Sequence, residues 1–292
     1  MSDPNANPAP VLPFTGERFT PECQREIWYE HWHRYVFARR FAPGKRVLDA
    51  ACGEGYGSAL LSRHAQSVVG IDIAQSTVEH ARQRYGDRKN LRFECGDCTS
   101  LAFEDRDFDL VLSFETLEHL SAQEALIGGF ARVLRDDGLL IVSSPDKRTY
   151  SEKSGFRNEF HVRELYRDEL LALLRRHFPF VQLYAQKLLF QSVIWNLDHQ
   201  AGPVDLATDA QGAIAPGLGY EPLYYVAICS KQPFADGRLP QLALFGDSEE
   251  SVYAHYNHEV RKNMAAGARI AELEQQLRAL HASTAKSEPP PR

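Results

Sequence analysis

Residues 46–57 constrain the fold of this chain more than any other stretch. Two apolar residues and an acid, Asp49, are followed by glycines at alternate positions, Gly53, Gly55 and Gly57, and then by a helix-forming segment. The pattern predicts a buried strand, a glycine turn and the start of a helix. Glycine permits a positive φ and a close approach of the backbone to a ligand, and the N–H groups at a helix start attract an anionic group.

The chain then alternates between apolar runs and helix-like segments. Strands are predicted at 46–51, 67–73, 91–96, 108–114 and 138–144, and helices at 57–65, 75–85, 121–134 and 161–177. Two further strands are predicted at 180–189 and 223–230. Strands that alternate with helices indicate a mostly parallel, doubly wound α/β sheet. Asp72 and Asp97 end the second and third apolar runs, where a carboxylate can accept the hydroxyls of a ribose.

The glycine turn reads G-x-G-x-G, whereas nicotinamide-binding proteins carry G-x-G-x-x-G. Together with the acids at the strand ends, it resembles the class I S-adenosylmethionine (SAM)-dependent methyltransferases over roughly residues 43–231. The resemblance implies a Rossmann-like, seven-stranded, mostly parallel sheet with an antiparallel last strand, assigned to 223–229, an N-terminal helical cap and a C-terminal helix. The alternative, a glycine-rich turn of an unrelated α/β fold, leaves the acids at the strand ends unexplained.

The same resemblance implies SAM as the cofactor and a set of residues that bind it. Asp72 is expected to bond the ribose, and Asp97 to bond the adenine amine with help from the backbone of Cys98. The candidate SAM-binding residues are Asp49, Ala51, Gly53, Gly55, Asp72, Ile73, Asp97, Cys98 and Phe114.

Residues 113–120 follow the fourth predicted strand and carry the candidate reaction centre. If this segment forms a helical turn, Glu115, Glu118 and His119 lie on one face, because residues three and four apart are neighbours on a helix. His161 follows the fifth strand at a predicted helix start, and therefore belongs to the same edge of the sheet. Two carboxylates and an imidazole on one face suit a divalent cation.

This E-x-x-E-H pattern with a distant histidine resembles the ubiquinone-pathway O-methyltransferases and the small-RNA 2′-O-methyltransferases. The resemblance implies Mg²⁺ or Mn²⁺ held by Glu115, Glu118, His119 and His161. Many class I enzymes carry Glu-His here without a metal, and then His119 is the candidate general base, with Glu115 as the second catalytic candidate. Structural roles also stay open: loop acids for Glu115 and Glu118, and a helix cap or a packing residue for His161.

The N-terminal segment is rich in aromatic residues and predicts a helix from 22 to 41. With the glycine motif and 113–120, it resembles methyltransferases encoded among bacterial polysaccharide-modifying enzymes. The candidate acceptor-binding residues are Tyr29, His33, Tyr150 and Arg163, because aromatic rings stack on sugars and His or Arg bonds hydroxyls. The alternative is that three aromatic residues, Trp28, Trp32 and Tyr35, pack this helix on the core while His31 and His33 lie on the surface.

Composition divides the chain into three regions. Residues 1–42 are predicted to be a disordered leader and the cap helix, 43–232 the methyltransferase domain, and 233–292 a linker, a short coiled-coil-like helix and a disordered tail. A glycine-containing loop at 196–221 has the length of a lid. The C-terminal helix is predicted at 268–282, with Ile270, Leu273, Leu277 and Leu280 at heptad spacing. It either docks on its own domain or binds a second copy or another partner.

The net charge of −6 and the pI near 6.0 give no electrostatic signature for nucleic acid or an anionic membrane. No apolar run approaches the length of a membrane span, and the first ten residues lack the features of a signal peptide. Five scattered cysteines suit a reducing cytoplasm. Cys95 and Cys98 form a C-x-x-C that is expected to pack, with a redox or metal role as the alternative.

The sequence therefore predicts a SAM-dependent O-methyltransferase that acts on a hydroxyl of a sugar, a glycan or another small acceptor. A vicinal diol is favoured if a metal binds, because a cation can clamp two neighbouring oxygens. Three alternatives stay open. One is an RNA 2′-O-methyltransferase, which the acidic charge disfavours. The others are a SAM-binding scaffold held to an assembly by its C-terminal helix, and an N- or C-methyltransferase.

Overall fold

The computed structural model describes residues 26–189, 218–235, 237 and 239–287. The chain divides into two compact units, Met1–Leu244 and Phe245–Arg292, whereas the sequence places this boundary after residue 232. The predicted leader, the first residues of the N-terminal helix, positions 196–217 of the predicted lid and the tail from 288 lie outside the described residues.

The first unit contains five α-helices and seven strands among its described residues. The helices are α1 Glu26–Arg39, α2 Tyr56–Leu61, α3 Gln75–Tyr85, α4 Gln123–Val133 and α5 Arg167–Arg175. The strands are β1 Arg46–Ala50, β2 Ser67–Asp72, β3 Leu91–Cys95, β4 Phe108–Ser113, β5 Leu134–Pro145, β6 Phe180–Gln186 and β7 Tyr224–Ser230.

The strands form one sheet in the order β3-β2-β1-β4-β5-β7-β6. Strands β1 to β5 pair in parallel, and β7 lies between β5 and β6 and runs antiparallel to both. The predicted seven-stranded, mostly parallel sheet with an antiparallel last strand is confirmed. The strand order reverses between β1 and β4, and ligands of such sheets bind beyond the carboxyl ends of the strands at this reversal.

Helices cover both faces of the sheet, because successive residues of a strand point to opposite sides. In β4, Leu110 and Leu112 pack on the face covered by α1, α2 and α3, and Val111 packs on the face covered by α4 and α5. All three side chains are buried, and complete burial of such a side chain contributes about 1.5–3 kcal/mol. Sheet and helices thus form a three-layer core that fixes the carboxyl edge of β1 to β5.

In the first unit, two predicted element starts are wrong by several residues. The helix predicted at 161–177 begins only at Arg167, because Leu165 bridges to Asp146 and Glu169 caps the helix start by accepting the Tyr166 N–H at 3.0 Å. His161 therefore lies in a loop. The strand predicted at 138–144 begins earlier, at Leu134 in β5, whose pairing with β4 changes register between Phe108 and Leu110.

The second unit contains α6, Ser251–Ser287, which extends beyond the predicted 268–282 in both directions. Its start is capped by Asp247, whose carboxylate accepts the Ser251 N–H at 3.0 Å and the Ser251 hydroxyl at 2.6 Å. A side-chain oxygen at this position satisfies backbone donors that lack a partner within the helix. The side chain of Leu280 lies outside the described residues. No helix in the described part of the chain is long and apolar enough to cross a membrane.

Candidate active site

The turn after β1 has a left-handed backbone at three positions. φ is 58° at Ala51, 56° at Gly53 and 90° at Gly55, the residue that precedes α2. A Cβ at Gly55 would lie 2.8 Å from the ring of Phe93. Glycine is required at position 57 for a different reason: a Cβ there would lie 2.1 Å from the ring of Tyr35. The third glycine of the motif thus allows α1 to pack on α2.

Asp49 is completely buried beneath this turn. Its carboxylate accepts the hydroxyl of Tyr35 at 3.0 Å and that of Ser58 at 2.5 Å. Burial raises the pKa of Asp49 to about 6, although both hydrogen bonds lower it. Asp49 therefore connects α1, α2 and the end of β1, and it fixes the geometry of the glycine turn.

Asp72 lies at the end of β2, beside the turn. One carboxylate oxygen accepts the Gly53 N–H at 3.0 Å, and the other accepts the Ala74 N–H at 3.0 Å. The neighbouring Ile73 is 73% exposed. Beyond β3, one oxygen of Asp97 accepts both the N–H and the hydroxyl of Thr99.

These groups can contact a ligand at the carboxyl edge of the sheet. A carboxylate has about four acceptor positions, so Asp72 and Asp97 can each bind a ligand in addition to the backbone. Ile73, next to Asp72 in the chain, offers an exposed apolar surface. Burial raises the pKa of the Cys98 thiol to about 11, which suits its predicted packing role, whereas the packing expectation is wrong for Cys95, which is exposed. Phe114, at the end of β4, is buried and meets Tyr35 edge-on with ring centroids 5.0 Å apart.

A second cluster lies at the carboxyl edge of β4 and β5. One ligand-type atom from each of Glu118, His119 and His161 lies within 4.8 Å of the others. Glu118 and His119 belong to a 3-10 turn, Leu117–His119. The N–H groups of Val162 and Arg163 both donate to the Glu118 carbonyl at 2.9 Å. Backbone bonds thus hold the loop of His161 against the turn.

The orientation of His119 follows from one hydrogen bond. Its Nδ1 lies 3.1 Å from the carbonyl oxygen of Phe160. A carbonyl only accepts, so Nδ1 carries the proton and the lone pair of the neutral ring is on Nε2. That Nε2 lies 3.9 Å from Oε1 of Glu118. A ring held in this way presents Nε2 as a base or as a metal ligand.

Glu118 is 1% exposed, and within the described part of the chain neither of its carboxylate oxygens has a hydrogen-bond partner. Burial raises the pKa of Glu118 well above its usual value, and the negative charge of Glu115 adds to the effect. A buried polar group without a partner costs free energy. Glu118 is therefore suited to a ligand that supplies a proton donor or a positive charge.

His161 is held on three sides. Its Nδ1 lies 2.6 Å from Glu164, its Nε2 lies 2.9 Å from the amide nitrogen of Asn158, and its ring stacks on Tyr150 at 5.3 Å. Asn158 uses its amide oxygen to accept the Phe160 N–H, so its NH₂ group faces His161. The ring also meets that of His119 edge-on at 5.0 Å.

Glu115 lies apart from this cluster, and the prediction of one helical face is wrong. The turn begins only at Leu117, and Glu115 has a φ of 47°. Its carboxylate accepts the hydroxyl of Ser143 at 2.6 Å and lies 3.4 Å from Nη2 of Arg34. Arg34 thus brings a cation from α1 to this edge of the sheet.

Arg34 is buried and is not among the site residues predicted from the sequence. Its Nε donates to the side chain of Gln186 at 2.8 Å, and its guanidinium lies over the ring of Tyr224 at 4.5 Å. Glu30 lies one turn earlier on α1, and burial raises its pKa to about 7, although Arg34 lowers it. Glu30 and Arg34 are opposite charges four residues apart in an aromatic-rich helix, and this spacing was the sequence signal for a buried charged pair.

Of the four candidate acceptor-binding residues, two lie on α1, one lies in the histidine cluster and one lies on the surface. Tyr150 lies in the cluster, stacked on His161. Tyr29 meets Trp28 edge-on at 5.4 Å. Burial, together with the charge of Arg34, lowers the pKa of His33 to about 4. The Arg163 side chain is exposed and lies 3.9 Å from Glu169, so the structure does not bring it into the cluster.

The aromatic residues of α1 pack on the core, as the alternative interpretation predicted. Trp32 lies 5.0 Å from Tyr56, and Tyr35 lies 5.1 Å from the same ring. The accompanying expectation that His31 and His33 lie on the surface is wrong, because both rings are partly buried.

The fold is a doubly wound α/β sheet whose glycine turn, strand-end acids and histidine cluster lie at one edge. Residues 48–142 match the family model described as a methyltransferase domain. A probable SAM-dependent methyltransferase of Mycolicibacterium smegmatis is 39% identical over 178 residues, which are 60% of this chain and 68% of that protein. The chain therefore belongs to the SAM-dependent methyltransferases.

Further comparisons agree with this assignment. A probable SAM-dependent methyltransferase of Mycobacterium tuberculosis is 39% identical over 58% of this chain, and the match spans 61% of that protein's length. A ubiquinone biosynthesis O-methyltransferase of Coxiella burnetii is 29% identical over 38% of this chain and 48% of its own. A solved structure from Pyrococcus horikoshii OT3 shares the fold with a TM-score of 0.51, at 20% identity over 74% of this chain and 95% of that one.

Proposed function

We propose that this methyltransferase transfers the methyl group of SAM to a hydroxyl of a sugar, a glycan or another small hydroxylated acceptor. The observation that carries the proposal is the orientation of His119. Its Nδ1–H is held by the Phe160 carbonyl, so its Nε2 is set to receive a proton beside the buried carboxyl of Glu118. Methylation of a hydroxyl requires such a base, because the oxygen loses its proton during transfer.

The reaction needs alignment and proton removal. Bound SAM supplies a methyl group on a positively charged sulfur; the acceptor oxygen forms the new C–O bond as the C–S bond breaks. His119 Nε2 takes the hydroxyl proton, and the Nδ1–H···O bond to Phe160 stabilises the resulting imidazolium and keeps the ring in place. Correct alignment of oxygen and methyl supplies much of the remaining acceleration.

For the cofactor, we propose the nine residues named from the sequence. Asp72 would bind the ribose hydroxyls, Asp97 would bind the adenine amine with the Cys98 backbone, and Ile73 would contact the adenine face. The support is the oriented carboxylate of Asp72 and the left-handed backbone at Ala51, Gly53 and Gly55. Asp49 and Phe114 would act by holding this turn and the end of β4.

As the alternative to proton removal by His119, we propose a reduced set of metal ligands, Glu118, His119 and His161, in which Nε2 of His119 would bind the cation and would no longer accept the proton. Their ligand atoms lie within 4.8 Å of one another, and the unpartnered oxygens of Glu118 fit a cation. Glu115 is left out because the cation of Arg34 and the Ser143 hydroxyl engage its carboxylate. At His161 the metal would have to replace only the neutral amide of Asn158, which lies 2.9 Å from Nε2. One carboxylate with two imidazoles suits Mn²⁺ better than Mg²⁺. A bound cation would lower the pKa of the acceptor hydroxyl and clamp a neighbouring oxygen.

For the acceptor, the proposal is a neutral polyhydroxylated molecule, with Tyr150 as a stacking residue beside His161 and Tyr29 and His33 on α1. The net charge of −6 gives no support to a nucleic acid partner. The four described cysteines, Cys52, Cys95, Cys98 and Cys229, are free, which supports a reducing, cytoplasmic location. We also propose that α6 binds a partner or a second copy.

An acceptor panel with methyl-labelled SAM tests the proposal. The panel contains sugars with vicinal hydroxyls, a catechol, an RNA oligonucleotide and a primary amine, each with Mn²⁺ and with a chelator. We expect label in a hydroxylated small molecule as a base-stable ether. Label only in the amine or only in the RNA would contradict the proposal. Loss of transfer with chelator would support the metal site. Undiminished transfer with chelator would indicate that His119 acts as the base without a metal.

His177→Ala is a matched control for this panel. His177 also pairs with a carboxylate, since its Nε2 lies 2.8 Å from Glu124. That pair lies on α4 and after α5, outside the cluster, and the variant is expected to methylate the same acceptors at the rate of the unaltered protein.

A further inference from the structure

Helix α6 exposes an unusual amount of apolar side chain. Every described side chain from 260 to 279 is exposed, including Met264, Ile270, Leu273 and Leu277. Helices in proteins owe most of their stability to packing of an apolar face. A 37-residue helix with these side chains in water therefore needs a surface to pack against.

The spacing of the apolar residues identifies that surface as another helix. In a heptad written abcdefg, Ile270 and Leu277 occupy successive a positions, and Leu273 occupies the d position between them. The same frame places Leu280 at the next d position and Asn263 at the preceding a position. A β-branched residue at a with leucine at d favours two strands, and a single Asn at a sets register.

The flanking charges identify the second helix as another copy in parallel orientation. In the same frame Arg269 is at position g and Glu274 is at position e. In a parallel pair, a g residue faces the e residue five positions later in the other helix, so Arg269 faces Glu274 of the second copy, twice by symmetry. In an antiparallel pair g faces g and e faces e, which would bring Arg269 towards other g residues and lose this attraction.

We propose that α6 forms a parallel, in-register, two-stranded coiled coil with α6 of a second copy. Its seam is Ile270, Leu273 and Leu277, and Arg269 is opposite Glu274 of the second copy. The chain is then a dimer joined outside its catalytic unit. This dimer does not depend on the identity of the acceptor, because the residues that form its seam all lie in the second unit.

Sedimentation equilibrium of the full chain tests the seam. The unaltered protein is expected to be a dimer, and Leu273→Lys a monomer at the same concentration. Met264→Lys is the matched control: Met264 is equally exposed on the same helix, but it is at position b and should leave the dimer intact. A monomeric unaltered protein, a higher oligomer, or a Leu273→Lys variant that stays dimeric would overturn the proposal.

A charge exchange tests orientation and register. Within one helix, Arg269 lies 2.6 Å from Glu272 and Arg278 lies 3.7 Å from Glu274. Arg269→Glu and Glu274→Arg should each weaken the dimer by about tenfold, and the double variant should restore it, because the pair across the seam is re-formed. If the two charges acted only within their own helix, the double variant would be weaker than either single one, and that result would overturn the parallel register.

Discussion

Arg34 and Glu115 form an ion pair inside the protein, with Nη2 of Arg34 lying 3.4 Å from Oε1 of Glu115 and the two side chains 1% and 15% exposed. The pair joins α1 to the loop that leaves β4. Through it, the N-terminal helix becomes one wall of the candidate reaction centre.

Removal of Arg34 should therefore destabilise the fold strongly. Arg34→Met leaves the partly buried carboxylate of Glu115 without its cation. Breaking a fully buried pair costs about 3–5 kcal/mol, and the partial exposure of Glu115 should reduce the loss to about 2–3 kcal/mol. Urea unfolding measures the effect. The control is Arg176→Met, because Arg176 pairs with Glu124 at 2.8 Å on the surface, where such pairs contribute about 0–1 kcal/mol. Equal losses in the two variants would contradict the structural role of Arg34.

Glu30 should make the stability depend on pH. Its folded pKa is raised from 4.5 to about 7, mainly by burial, so the folded state binds the proton more tightly than the unfolded state does. The stability from this group is fully present below pH 4.5 and is lost as the pH rises through about 7, a change on the order of 3 kcal/mol. Unfolding free energies of the unaltered protein and Glu30→Gln, measured between pH 5 and 8, should converge at low pH and diverge at high pH. Parallel curves would refute the raised pKa.

Gly57→Ala should disturb the cofactor turn through Tyr35. The new methyl group would lie 2.1 Å from the Tyr35 ring, so the ring must move and its hydrogen bond to Asp49 is strained. We expect a loss of about 1–3 kcal/mol in stability and weaker SAM binding. Gly129→Ala in α4 is the control, since its Cβ has ordinary contacts of 3.8 Å or more. It should be neutral or stabilising by up to about 1 kcal/mol.

Asp72→Ala tests the proposed cofactor contact directly. Each charge-assisted hydrogen bond to the ribose is worth about 1.5–3 kcal/mol, so calorimetry should show SAM affinity reduced by at least about tenfold. Asp105→Ala, which removes an exposed carboxylate paired with Arg132 at 2.9 Å, should bind SAM as the unaltered protein does. Unchanged affinity in Asp72→Ala would reject this residue as the ribose ligand.

Sequence patterns predicted the sheet well because local and tertiary signals agree there. The apolar run before Asp72 and the glycine turn after Asp49 each specify a strand end, and parallel strands bring those ends to one edge. The start of α5 could not be predicted in the same way. It depends on the bridge between Leu165 and Asp146, two residues that meet only in the folded chain.

The candidate reaction centre was predicted only in part, because some of its contacts also form only in the folded chain. Glu118, His119 and His161 are brought together, as the carboxyl-edge argument required. Glu115 does not join this cluster: it has a positive φ, and its carboxylate pairs with Arg34. That pair depends on how α1 packs on the sheet. Spacing along the chain carries no information about a contact between residues so far apart in sequence.

The central claim is that His119 removes the acceptor proton through Nε2. The most direct measurement is the single-turnover methyl-transfer rate of His119→Ala, together with its SAM affinity by calorimetry. The loss should fall on the transition state, so we predict a rate reduced by at least about a hundredfold and a SAM affinity unchanged within about twofold. Methyl transfer by His119→Ala at the rate of the unaltered protein would contradict the claim.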